Sequence, residues 1–113
     1  MALEILTQKN FDKLFPQNTL NKRNIVLCIG INDEIVNNIR QFEINNHKYL
    51  FLLVDFSDIT TISNIISYLH LNPSSPPNYR FYILKGLEIV YSESSPRLNE
   101  EVETLKNILD KLK

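Results

Sequence analysis

The chain has 113 residues, 43% of them hydrophobic and 10% aromatic, which suits one ordinary domain with one core and leaves no room for a second of useful size. Its 12 basic and 13 acidic residues nearly cancel to a formal charge of -1, so no long-range field draws nucleic acid or an anionic membrane to it, and neither is expected as a partner. Two glycines and five prolines argue against a disordered or linker-rich chain, and no apolar run approaches the ~20 residues that cross a bilayer.

The opening stretch, MALEILTQKNFDKLF, has neither the basic segment nor the long apolar run of a signal peptide. With no Asn-x-Ser/Thr sequon and a single cysteine, the expected setting is reducing and cytoplasmic. Leu3 to Leu6 reads as a short strand. Thr7 is placed to cap a helix in which Phe11, Leu14 and Phe15 fall at helical spacing before Pro16 stops it.

After a polar connection, Ile25 to Ile29 is an uninterrupted apolar run, the pattern of a strand covered on both faces and the best candidate for the centre of a sheet. Gly30 ends it. Asn32 or Asp33 can cap the next helix, whose apolar stripe is Ile35, Val36, Ile39 and Phe42 and which Asn45-Asn46 closes. A second buried-strand pattern, Tyr49 to Val54, ends in Asp55. A third helix then carries Ile59, Ile62, Ile65, Ile66 and Leu69 on one stripe, with Ser57 or Asp58 as its cap.

Tyr79 to Leu84 and Leu87 to Tyr91 are strand-like and are separated only by Lys85-Gly86, a spacing that allows an antiparallel hairpin and excludes a crossover helix. The last helix starts at the cap Asn99, with Glu100, Glu101 and Glu103 near its positive end and Lys106, Lys111 and Lys113 toward its negative end. Val102, Leu105, Ile108, Leu109 and Leu112 form its apolar face. No repeat, low-complexity tract or domain boundary interrupts residues 1-113, which read as one domain.

This order, β-α-β-α-β-α-β-β-α, predicts an α/β fold with a mixed central sheet flanked by helices, and it resembles the thioredoxin-like family. Local stretches resemble that family too: ILTQKNFDKLF with its Asn10-Phe11-Asp12 step, FLLVDFSD with Val54 and Asp55, and FYILKGLEIVYSES as the final hairpin. The resemblance implies a Cys-x-x-Cys pair at the amino end of the second helix, where the helix dipole turns a thiol into a nucleophile. That stretch is Ile31-Asn32-Asp33-Glu34-Ile35-Val36 and contains no sulfur. The one cysteine, Cys28, lies inside an apolar strand and reads as a small core hydrophobe. The chain therefore looks like a redox-inactive member.

The resemblance also implies a cis-proline before the fourth strand, facing a peptide-binding groove, and Pro76-Pro77 stands there, Pro77 being the candidate. The plainer alternative is that Ser74 to Pro77 form a stiff surface loop. His47 and His70 lack a second ligand at metal spacing and read as surface or cap residues, and Glu100, Glu101 and Glu103 read as a solvated face. Tyr79, Phe81, Tyr82 and Tyr91 lack interleaved basic residues and read as core and sheet surface rather than a base-stacking platform. With two glycines no phosphate loop can be built, and no catalytic, cofactor or metal motif occurs.

The function expected on these grounds is a non-catalytic protein-interaction domain, an assembly, chaperone-like or regulatory subunit that binds another protein or itself. Two surfaces are candidates: a groove near Asp33, Glu34, Pro76, Pro77 and Asn78, or the edge of the last strand around Leu87, Ile89 and Tyr91. The alternative is a thiol-ligand site of glutathione type, or an enzyme, using backbone groups near Pro77. A further reading, flavodoxin-like with a nucleotide site, requires the last two strands to be other than antiparallel.

Overall fold

Among the described residues five strands and four helices follow one another: β1 (Leu3–Ile5), α1 (Gln8–Leu14), β2 (Asn24–Ile29), α2 (Asp33–Asn45), β3 (Tyr49–Val54), α3 (Ile59–Leu69), β4 (Tyr79–Lys85), β5 (Glu88–Ser95) and α4 (Glu101–Asp110). The computed structural model describes residues 3–14, 24–30, 33–45, 49–72, 79–86, 88–95 and 100–112. Phe15, Pro16, Ile31, Asn32, Asn46, His47, Ser74, Ser75, Pro76, Pro77, Asn78, Leu87, Asn99 and Lys113, which carried readings above, lie outside the described residues.

The strands form one sheet in the order β1-β3-β2-β4-β5. β1, β3 and β2 run parallel, β4 pairs antiparallel with β2, and β5 antiparallel with β4. The antiparallel β4–β5 hairpin removes the flavodoxin-like reading. The mixed α/β architecture expected from the element order is found.

Burial explains why the two most apolar runs sit inside. In β2 and β3 successive side chains point to opposite faces, and both faces are covered. Val26, Cys28, Phe51, Leu53, Phe81 and Ile83 meet α2 and α4. Ile25, Leu27, Ile29, Leu50, Leu52 and Val54 meet Phe11 of α1 and Ile65 of α3. Edge-to-face ring pairs seal each layer, Phe42 on Phe51 at 6.0 Å and Phe11 on Tyr68 at 6.2 Å.

Thr7 stands at the expected cap position of α1: its carbonyl accepts from the Phe11 N–H at 2.9 Å, and the Asn10 carboxamide oxygen accepts from the Thr7 N–H at 2.6 Å while its Nδ2 donates to the Ile5 carbonyl at 2.9 Å. The local expectations that change lie in β5 and α3. β5 runs on to Ser95, because edge-strand residues such as Ser92 and Ser94 need no apolar side chain to hold a ladder. Its register slips beside Ile83 and Leu84, a bulge that leaves Val90 without a counterpart and 47% exposed.

In α3 the first residue of the expected stripe, Ile59, is 73% exposed, and Thr61 is fully buried in its stead. Asp58 is the cap: its Oδ1 accepts from the Thr61 N–H at 3.2 Å and its Oδ2 from the Thr61 hydroxyl at 2.6 Å. One carboxylate thus satisfies both an orphan helix donor and a buried hydroxyl. Asp58→Ala is expected to lower the unfolding free energy by about 1–2 kcal/mol in chemical denaturation. Ile59→Ser, two positions from Thr61, should change it by less than about 0.5 kcal/mol. Equal costs at the two sites would contradict this account of the cap.

Candidate functional site

The carboxyl end of β2 and the amino end of α2 meet at Gly30, whose N–H donates to the Val54 carbonyl at 2.8 Å and so extends the β2–β3 ladder by one bond. Gly30 has φ +88°, and a Cβ there would lie 2.9 Å from Tyr79 Cδ1 and 3.0 Å from Phe56 Cδ2 and Cε2. The two rings close over the glycine edge to face, with centroids 4.7 Å apart. Phe56 is aimed by its turn: the Ser57 N–H and hydroxyl both donate to Asp55 Oδ1 at 2.8 Å. Those two bonds, the backbone one first, hold the exposed Asp55 carboxyl below its usual range.

Around this aromatic pair stand two helix amino ends. Asp33 and Glu34 open α2, both exposed, with charge of the sign that a helix amino terminus stabilises. Glu101, expected on a solvated face, is instead 1% exposed in the first turn of α4. Its neighbours at helical spacing, Leu105, Ile108 and Leu112, are all buried, so position on the helix outweighs residue type. Burial, and secondarily the Glu34 charge, push the Glu101 carboxyl up to about 7. Burial and the Glu101 charge likewise raise the Tyr79 phenol.

Cys28 takes no part in this site. Its side chain is fully buried in the layer facing α2 and α4, with Leu53 and Phe81 as its lateral neighbours in the sheet. Burial pushes its thiol far above the ordinary range, so no thiolate forms at neutral pH.

The structure brings Asp33 and Glu34 to the Gly30 junction and keeps Ile89 and Tyr91 away from it, since Ser95 rather than Tyr91 stands opposite Tyr79. Ile89 packs on the α3 side of the sheet and Tyr91 on the α4 side, where Lys111 Nζ lies 5.4 Å from its ring. The Tyr91 hydroxyl donates to Glu93, which raises its pKa. His70 is exposed and serves as the left-handed cap of α3, with φ 55°. Sequence reasoning passed over Phe56 and misjudged Glu101. For Glu101 the 101/105/108/112 spacing was a sufficient signal.

Two outcomes follow. Because the folded pKa of Glu101 lies above its ordinary 4.5, the folded chain holds an extra proton between about pH 4.5 and 7, and the stability contributed by the neutral form is lost as pH rises through about 7. Unfolding free energy is expected to fall by about 1–3 kcal/mol from pH 5 to pH 8 on this account, and Glu101→Gln should flatten that slope; an unchanged slope in the variant would refute it. Gly30→Ala should cost at least about 1–2 kcal/mol, through positive φ and the ring contacts together, read as a lowered denaturation midpoint.

No protein-family model matches the chain, and no characterised protein does so by sequence. Solved structures do. Poplar thioredoxin h is 13% identical over 97% of this chain and 98% of its own, with a TM-score of 0.61. Thioredoxin O1 from Arabidopsis thaliana in its oxidised state is 18% identical over 96% of each chain, with a TM-score of 0.62. Thioredoxin from Fasciola hepatica is 16% identical over 97% of this chain and 99% of its own, with a TM-score of 0.58. At these identities the likeness concerns the backbone alone, and with the sheet order and the layering of the helices it establishes that this chain adopts the thioredoxin fold.

Proposed function

We propose that this chain is a redox-inactive protein-interaction domain, an assembly, chaperone-like or regulatory subunit that performs no disulfide exchange. The carrying observation is the state of its sulfur. Disulfide exchange needs an accessible thiolate and a second sulfur to resolve the mixed disulfide. The chain has one cysteine, fully buried and with its thiol pushed far up. Where the fold's helix amino end would present thiols, Asp33 and Glu34 stand exposed.

Two surfaces are proposed for the protein partner or second copy. One is the Gly30 junction, with Asp33 and Glu34 and, by the sequence reading, Pro76, Pro77 and Asn78. Its aromatic pair and flanking carboxylates suit a segment that offers a basic or hydrogen-bond-donating group beside an apolar one. The other is β5 with Leu87, Ile89 and Tyr91, supported by the position of β5 at the end of the sheet order, where a strand can template another. The Val90 bulge and Glu88 make the first half of that edge the poorer template, so the junction is the favoured surface.

In an insulin-reduction assay the protein and its Cys28→Ser variant should both stay at the uncatalysed background. Native purification with light scattering and cross-linking should recover a defined partner or self-association, weakened at least about tenfold by Asp33→Lys with Glu34→Lys. Reduction above background that Cys28→Ser abolishes would sink the redox-inactive reading, and a partnerless monomer would sink the interaction reading.

A further inference from the structure

We draw no further inference here: the strongest candidate, the groove that Tyr49, Lys85, Val90, Tyr91 and Lys111 line between the β4–β5 hairpin and the end of α4, adjoins in sequence residues 46–48, 87 and 113, which lie outside the described residues, so nothing in the structure shows what covers it.

Discussion

Burial of β2 on both faces is the constraint on which the rest of the molecule depends. Each of its residues from Ile25 to Ile29 is at most 2% exposed, and the strand pairs with β3 on one side and β4 on the other. A strand in that position needs apolar side chains in alternating directions and a helical layer on each face. Those layers are what put α1 and α3 on one side and α2 and α4 on the other. The same constraint decides the fate of the only thiol. Cys28 is one of those alternating residues, so its sulfur fills space between Leu53 and Phe81 and is kept from any partner in exchange chemistry.

The fold was legible for the same reason. Uninterrupted runs at Ile25–Ile29 and Tyr49–Val54 cannot be half-exposed strands, and the short Lys85-Gly86 connection cannot carry a crossover. What stayed hidden were the residues whose type and position disagree. Glu101 is charged but sits on the buried stripe of α4, whereas Ile59 is apolar but precedes the first buried turn of α3 and faces solvent. In both cases the geometry of the helix on its sheet prevailed over side-chain polarity, and the price appears at Glu101 as a shifted pKa. The tail of β5 was missed because a strand at the edge of a sheet is held by backbone bonds, which leave no mark on hydrophobic periodicity.

The candidate site was readable only in part. Acidic residues at the start of α2 were visible as such, but their meaning depends on groups distant in sequence. Glu34 acts on Glu101 from another helix, and Glu101 in turn acts on Tyr79 from a strand. Gly30 belongs to the same assembly, since a side chain at that position would meet both Phe56 and Tyr79. A cluster drawn from β2, the β3–α3 turn, α2, β4 and α4 has no single-segment signature, which is why no motif announced it.

Tyr79 and Arg80 are consecutive, yet Tyr79 packs toward Glu101 and the α4 layer, whereas Arg80 turns to the α3 side. A cation one residue from Tyr79 would oppose the rise in the Glu101 pKa if it shared that face; burial and Glu34 instead act on Glu101 with the sheet between it and Arg80. The alternation that buries β2 thus also sends consecutive residues of β4 into different layers, Tyr79 toward Glu101 and Arg80 to the Asn72 carbonyl at the end of α3.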